Sequence, residues 1–345
     1  MRRGVLIAHA IGLIALVACT PPPSPGPAGT PRPAAASTPR MVAPPTVARA
    51  FSLGLALPDR RLEPWVSLAY GARDEAAQRG AELSQLEVSG RDPSDRLTRQ
   101  VRELAGRPVD FLLIGDGDGP LVEAAVDEAA GRAVPMGGLS SLVSAERLVF
   151  KLGPDRYAVG RVQAECLGTA LSGRGAVGLL AGPPDNAPAL EQAQGFRETL
   201  QKQFANVQIL AERAALLDRA ASAAQVNDWL RRWPDLAGLA TGTEAMALGT
   251  LDALAATGRL GQIKVAVVGL SPLTEPSVRD GGIQCGVAQQ AVAEGRAAVR
   301  NALAFLASQP YERNVKSPPV LVTRENFGKI DWGAIRAPAS EGKAR

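Results

Sequence analysis

The side chains that usually carry enzymatic chemistry are scarce in this 345-residue chain. It has a single histidine, His9, inside an apolar amino-terminal run, and three cysteines, Cys19, Cys166 and Cys285. Ser-His-Asp and Cys-His nucleophilic sites need an imidazole, as do zinc sites with histidine ligands. If the amino-terminal run is removed during maturation, no imidazole remains. The sequence therefore favours a binding protein over an enzyme.

The amino terminus has the pattern of an export signal. Two arginines precede an apolar run over residues 4–18, which is shorter than the about 20 residues that a membrane-spanning helix needs. The run ends in LVAC, which is similar to the bacterial lipobox, whose cysteine is acylated and becomes the first residue of the mature protein. We therefore expect a signal peptide over residues 1–18 and lipidation at Cys19. A signal peptide without lipidation is the alternative.

Residues 19–49 are rich in proline, alanine, serine and threonine. With almost no large apolar side chains, this stretch cannot build a core, and its prolines favour an extended chain. At about 3.1 Å per residue such a chain reaches some 80 Å at most. We expect a disordered tether that holds a folded part near a membrane, outside the cytoplasm.

The charge balance argues against a nucleic-acid partner. The chain has 38 basic and 34 acidic residues, a formal net charge of +4, and cleavage of the signal would bring the two counts closer. The basic residues are scattered and form no dense run, so the electrostatic footprint of a nucleic-acid-binding protein is missing from the sequence.

Cys166 falls in a helical pattern and Cys285 in a strand-like run. Buried, unpaired cysteines are the usual occupants of such positions, and the sequence favours that interpretation. A location outside the cytoplasm also permits a disulfide between the two.

Two glycine-rich motifs have structural interpretations. GRGAVG, residues 173–178, matches the G-x-G-x-x-G dinucleotide pattern, but it ends a predicted helix and opens a strand, the reverse of the true fingerprint. GDGDG, residues 115–119, lacks the later carboxylates of a calcium loop and is better interpreted as a strand-to-helix turn capped by Asp118. We expect no cofactor and no metal.

From Phe51 onward, short apolar runs alternate with amphipathic stretches, which is typical of an α/β fold with parallel strands. About 295 residues exceed one comfortable core, so two doubly wound lobes are expected. Helices are predicted over about 64–79, 189–203, 243–257 and 290–307. A further helix is predicted where apolar residues recur at a spacing of four and three, at Leu97, Val101 and Leu104. Besides 51–57 and VDFLLIG, the predicted strands cover 147–152, 175–181, 207–211, 236–240, 263–269 and 283–288.

The segment from Phe51 to about Phe327 resembles the ribose-type sugar-binding proteins of bacterial ABC importers. The resemblance is carried by stretches in the same order: VDFLLIG, GRGAVGLLAGPP, QGFRETL, MALGTLDALAATGRLGQIKVAVVGL, VAQQAVAEGR and PPVLVTRENF. It implies two α/β lobes joined by three hinge crossovers. The amino-terminal lobe would comprise residues 50–153 and 290–315, and the carboxyl-terminal lobe residues 154–289 and 316–327. The tail, 328–345, is expected to be disordered or to wrap the surface.

The same resemblance implies ligand contacts, and here the sequence departs from the family. Asn-Pro-Phe-Phe becomes residues 63–66, Glu-Pro-Trp-Val, and the usual Asp-Arg pair becomes Ser140-Ser141. One neutral hydroxyl cannot replace charge-assisted, bidentate groups, so tight ribose binding is not expected. The candidate ligand-binding residues are Glu63, Trp65, Ser140, Ser141, Asn186, Thr243, Ser271 and Gln289.

These patterns predict a monomeric, lipid-anchored solute-binding protein that captures a small sugar or sugar-like ligand for an ABC permease. The alternative is a lipoprotein, with or without a ligand, that docks on a membrane receptor. A neighbouring permease and ATPase gene would favour transport, and a neighbouring kinase gene would favour sensing. An enzyme is not expected.

Overall fold

The computed structural model describes most of the chain after the predicted tether. The residues of the predicted signal peptide, the predicted lipidation site Cys19, the acidic part of GDGDG and Ser141 lie outside the described residues. These are 49–59, 62–90, 92–115, 120–140, 145–215 and 218–341.

Within these ranges, twelve strands form two sheets of six. In chain order they are β1 Ser52–Ala56, β2 Glu82–Gln85, β3 Phe111–Ile114, β4 Met136–Leu139, β5 Phe150–Pro154, β6 Arg174–Ala181, β7 Asn206–Ala214, β8 Leu236–Thr241, β9 Lys264–Val268, β10 Cys285–Ala288, β11 Asn314–Ser317 and β12 Val320–Val322.

Helices follow most of these strands. They are α1 Glu63–Gln78, α2 Pro93–Ala105, α3 Pro120–Gly131, α4 Arg156–Ala170, α5 Ala187–Gln203, α6 Arg219–Arg232, α7 Glu244–Ala256, α8 Glu275–Asp280, α9 Ala291–Leu306 and α10 Trp332–Ile335.

The two sheets define two lobes of the same design. The first has strand order β11-β5-β4-β3-β1-β2 and the second β12-β10-β9-β8-β6-β7. Neighbouring strands are parallel except β12, which runs antiparallel to β10. Separate apolar clusters cover each sheet, for example Phe111 with Phe150 on one face of the first sheet and Val101 with Met136 on the other. Each lobe is therefore doubly wound, as expected from the alternation of strands and helices.

The chain passes between the lobes three times. The crossovers lie between β5 and α4, between β10 and α9, and between β11 and β12. The first lobe consequently takes α9 and β11 from the distal part of the chain. The predicted fold class, two doubly wound lobes with three crossovers, is confirmed.

Two buried glutamines tie helices to the sheets of their own lobes. Gln163 of α4 donates from Nε2 to the carbonyls of Thr241 and Ala266, both at 2.9 Å. In the first lobe, Gln100 of α2 donates to the carbonyl of Leu57 at 2.8 Å and accepts from its N–H at 3.1 Å. Gln163 uses both N–H groups of its amide and Gln100 uses both ends of its amide, so each glutamine holds its helix in one register against the sheet.

The cysteine prediction was wrong: Cys166 and Cys285 form a disulfide, with a Cα–Cα distance of 5.9 Å. Helix α4 packs on β9 and β10, which brings the half-buried Cys166 over the start of β10. The two residues are 119 positions apart, so only this tertiary packing brings them together.

The interpretation of GRGAVG as a helix-to-strand segment is confirmed. The motif begins in the turn that follows α4 and continues into β6, so it does not open a helix.

Glycines bring the helices of each lobe into close contact. A Cβ on Gly160 of α4 would lie 1.8 Å from the carbonyl oxygen of Gln192 in α5, and one on Gly195 of α5 would lie 2.2 Å from that of Tyr157. A similar contact joins α1 and α9 at Gly71 and Gly295. The helix backbones therefore touch directly.

None of the helices in the described ranges is long and apolar enough to cross a membrane.

Candidate functional site

A cavity of about 510 Å³ lies between the two lobes. Its walls come from the loops that follow β4, β8, β9 and β10 and from the first turns of α1 and α9. Ligands of doubly wound sheets bind in this position, beyond the carboxyl ends of the strands. We refer to it below as the cleft.

Five of the residues predicted from sequence meet in the cleft. Glu63, Trp65 and Ser140 line it from the first lobe, Thr243 from the second, and Gln289 from the second crossover. Glu63 and Trp65 open α1, where Pro64 occupies a first-turn position that lacks a helical N–H partner in any case. Ser140 follows β4 with φ of 51°, a left-handed conformation that turns the chain at the cleft edge.

Asn186 and Ser271 lie in the loops after β6 and β9 and are not among the residues that line the cleft. The Asn186 side chain accepts from the N–H of Ala189 at 3.0 Å and caps α5. The Ser271 hydroxyl accepts from the N–H of Leu273 at 3.1 Å. Both side chains are thus engaged in holding their own loops.

Several lining residues were not predicted from sequence. Arg156 and Glu294 stand in the first turns of the helices after the first and second crossovers, a position that could have indicated them. Leu248, one turn into α7, could have been assigned from its helical spacing after Thr243. Nothing in the sequence indicated Ile335, because no pattern predicted a helix or strand in the tail, residues 328–345.

Two carboxylates from opposite lobes face the cleft. Glu63 of α1 accepts from the hydroxyl of Ser67, and Glu244 of α7 accepts from the hydroxyl of Thr274 at 2.8 Å. Burial raises the pKa of Glu63, and the negative charges of Glu244 and Glu275 add to that rise, while Ser67 and Arg336 oppose it. Both groups offer oxygen acceptors to a ligand that donates hydrogen bonds.

Glu294 is the most deeply buried of the acidic groups that line the cleft, with 4% of its surface exposed. Burial raises its pKa, and the hydroxyl of Ser317 and the charge of Arg156 act in the opposite direction. The hydroxyl donates to Glu294 from the end of β11, so this group also ties α9 to the strand before the third crossover.

The other side chains that line the cleft are mostly apolar. Together with Trp65 they form a hydrophobic surface beside the carboxylates of Glu63 and Glu244. Over the described ranges no three His, Cys, Asp or Glu side chains cluster closely enough to hold a metal ion. The cleft therefore has the chemistry of a binding site for a compact, partly apolar ligand with hydrogen-bond donors. The apolar contributors are Leu62, Leu68, Leu248, Val268, Leu270, Ala291 and Ile335.

The raised carboxyl pKa values predict stability that falls as pH rises. Glu63, Glu275 and Glu294 all have a folded-state pKa above the ordinary 4.5. Their contribution is fully present below about pH 4.5 and is lost as pH rises through the folded values. We expect Glu294→Gln, which remains neutral, to reduce the fall in the thermal midpoint between pH 5 and pH 8, measured by calorimetry.

The control for this experiment is Glu82→Gln, which removes an exposed carboxyl group at the start of β2. It should keep the pH profile of the unaltered protein. A Glu294→Gln profile that also parallels the unaltered protein would show that ionisation of this buried group does not affect folding.

Comparison with known proteins gives the same architecture. Residues 53–310 match the family model described as periplasmic binding protein domain. The ribose import binding protein RbsB of Bacillus subtilis (strain 168) is 24% identical over 279 residues, covering 80% of this chain and 88% of that protein. The Escherichia coli (strain K12) protein of the same name is 28% identical over 225 residues, 65% of this chain and 74% of its own.

Solved structures agree on the fold. A periplasmic solute-binding protein of an ABC transporter from Actinobacillus succinogenes 130z, solved with bound D-allose, superposes with a TM-score of 0.74 at 21% identity, covering 81% of this chain and all of that one. With three-quarters of its length matched by the family model and both lobes in the family's arrangement, the chain belongs to the periplasmic binding protein domain family.

Proposed function

We propose that this chain is a lipid-anchored solute-binding protein outside the cytoplasm that captures a small sugar or sugar-like molecule for an ABC importer. The observation that carries the proposal is a cleft lined by both lobes, which are joined by short crossovers. A ligand that contacts both lobes favours the closed arrangement over the open one, and the permease would receive the closed form. The names of the relatives, ribose import binding proteins, support a transport role.

The lining of the cleft supports a ligand with a few hydroxyl groups and an apolar face. Glu63 and Glu244 would accept hydrogen bonds from hydroxyls on opposite sides, and Thr243 and Gln289 can donate or accept. Trp65 would cover the apolar face of a ring. Since serine follows β4 where the family has Asp-Arg, we propose fewer polar contacts than a fully hydroxylated pentose requires.

Anchoring at Cys19 is part of this proposal and is supported by the LVAC motif behind an apolar run. Intact-mass spectrometry of protein purified from membranes tests it directly. An acyl mass on a chain beginning at Cys19, absent from the Cys19→Ala variant, is the expected result. A chain of unmodified mass would rule the anchor out.

Thermal unfolding with a ligand panel tests capture. The panel contains D-ribose, D-allose, xylitol and myo-inositol, each added to the full-length protein. A ligand at 100 times its dissociation constant adds about 2.7 kcal/mol to the stability of the folded state. For a protein of this size that raises the midpoint by a few degrees. A shift with one compound supports the proposal and gives the ligand class, whereas a cooperative transition that no compound moves contradicts it.

Removal of the aromatic wall is predicted to weaken binding of whichever panel compound gives the shift. Trp65→Ala removes the only aromatic side chain among the described residues that line the cleft. Loss of a stacked ring and its buried area should lower the affinity about tenfold or more, measured by isothermal titration calorimetry.

Trp65→Phe is the matched control because it keeps an aromatic face at the same position. Its affinity should stay within a few-fold of the unaltered protein. Equal affinities for all three proteins would place the ligand away from this ring.

A further inference from the structure

The last described residues form a distinct segment, the C-terminal strap, defined here as residues 330–341. It follows β12 and a short 3-10 turn, contains α10, and lies beyond residue 310, where the family match ends. Its contacts connect it to both lobes.

On the second lobe the strap is anchored by burial and charge. Ile335 is 4% exposed and packs in the apolar cluster of that lobe. The guanidinium of Arg336 lies 2.9 Å from the buried carboxylate of Glu275 in α8 and stacks over the ring of Trp332, 4.8 Å from its centroid. An ion pair with one deeply buried partner is costly to break, because the remaining charge stays buried.

On the first lobe, α10 packs against α9, and the contacts of the residues after α10 are polar and more exposed. The N–H of Ala337 donates to the hydroxyl of Ser67 in α1 at 2.7 Å. Glu341 pairs with Arg73, also in α1, with about a third of each side chain exposed. An exposed pair of this kind contributes little. The first-lobe end is therefore the end that releases more easily.

The strap also forms part of the cleft. Ile335 is among the lining residues, beside Leu270 and Leu248. A second cavity of about 610 Å³ is lined by Trp332 and Arg336 of the strap. The strap therefore borders both cavities, with Ile335 on the cleft and Trp332 and Arg336 on the second cavity.

We propose that the C-terminal strap is part of the ligand-binding site: Ile335 supplies an apolar wall of the cleft, and the strap links the two lobes across its mouth. The ligand contact rests on the function proposed above, whereas the link between the lobes does not. On opening, the contacts of Ala337 and Glu341 with α1 break first, and the strap stays on the second lobe.

Pulsed electron resonance between spin labels on the two lobes tests the link without any ligand. Labels are attached at Glu82→Cys and Gln201→Cys in the full-length Cys19→Ala chain, since both positions are exposed and lie in different lobes. We expect one narrow distance distribution for this protein. Truncation after Lys329 should broaden and shift it.

Two further proteins keep this test decisive. Truncation after Glu341 removes only the last four residues and should leave the distribution narrow. Arg336→Gln keeps Ile335 and breaks the ion pair with Glu275, so it should broaden the distribution even if the longer truncation does not fold. Unchanged distances in Arg336→Gln, or in a folded protein truncated after Lys329, would overturn the proposed link.

The ligand contact is tested by calorimetric titration of Ile335→Ala with D-ribose, D-allose, xylitol and myo-inositol. Loss of apolar contact at this wall should weaken a bound compound about tenfold. Equal affinity in Ile335→Ala and the unaltered protein would remove Ile335 from the site. Absence of binding in every protein would contradict the proposed function instead, while the spin-label distances still decide whether the strap links the lobes.

Discussion

Gly160→Ala is expected to lower the free energy of unfolding by about 3 kcal/mol. A methyl group here would lie 1.8 Å from the carbonyl oxygen of Gln192 and 2.8 Å from the amide nitrogen of Phe196. Both are backbone atoms of α5, so no side-chain rotation relieves the clash, and α4 and α5 must separate. Alanine is favoured over glycine within a helix by about 1 kcal/mol, which offsets only part of this cost. Equilibrium unfolding in urea measures the change.

Gly131→Ala provides the matched control. Gly131 ends α3, is exposed, and has no atom within 4 Å of the position where a Cβ would stand. This variant should be neutral or slightly more stable. Most surface substitutions change the free energy of unfolding by no more than about 0.5 kcal/mol. A change that small for Gly160→Ala would disprove direct backbone contact between α4 and α5.

Removal of the disulfide is the second change with a large expected effect. The Cys166→Ala, Cys285→Ala double variant should lose about 2–5 kcal/mol of stability, the usual range for a native disulfide. The bond closes a loop between residues 119 positions apart, and a long loop restricts the unfolded chain strongly. Urea unfolding of the double variant, compared with the oxidised protein, gives the difference.

Reduction provides an independent control for the disulfide prediction. The reduced unaltered protein should approach the stability of the double variant, while the double variant itself should not respond to a reducing agent. Thiol titration of the unfolded, non-reduced protein should detect neither Cys166 nor Cys285. Two reactive thiols there, with stability unaffected by reduction, would contradict the bond.

The fold was predictable because its main elements carry strong local signals. VDFLLIG predicts a strand buried on both faces, and β3 is buried throughout. Four strands of the described ranges were not predicted: β2, β4, β11 and β12. Of these, β2 is ELSQ, β4 is MGGL, whose paired glycines are unusual in a strand, and β11 and β12 have only four and three residues. The helix-contact glycines were also invisible, since a glycine in a helical pattern indicates only weak propensity until the neighbouring helix is known.

The site was predictable only in part. Glu63, Trp65, Ser140, Thr243 and Gln289 line the cleft because family position and strand ends both point there. Arg156, Glu294 and Ile335 belong to segments that reach the cleft through crossovers and the tail, where packing rather than periodicity decides the approach. The Cys166–Cys285 pair was missed for the same reason.

The discontinuous first lobe has a consequence for how the chain folds. Its helix α1 packs against α9, and the pair Glu75 and Arg300, 225 positions apart, joins them at 2.9 Å. A nascent chain that ends before α9 leaves the Gly71 face of α1 uncovered and the edge of β5 unpaired. Closing such a long loop precedes any stabilising contact, which slows folding. The amino-terminal lobe can therefore reach its native state only after synthesis has passed β11, whereas most of the second lobe, from α4 to β10, is contiguous in the chain.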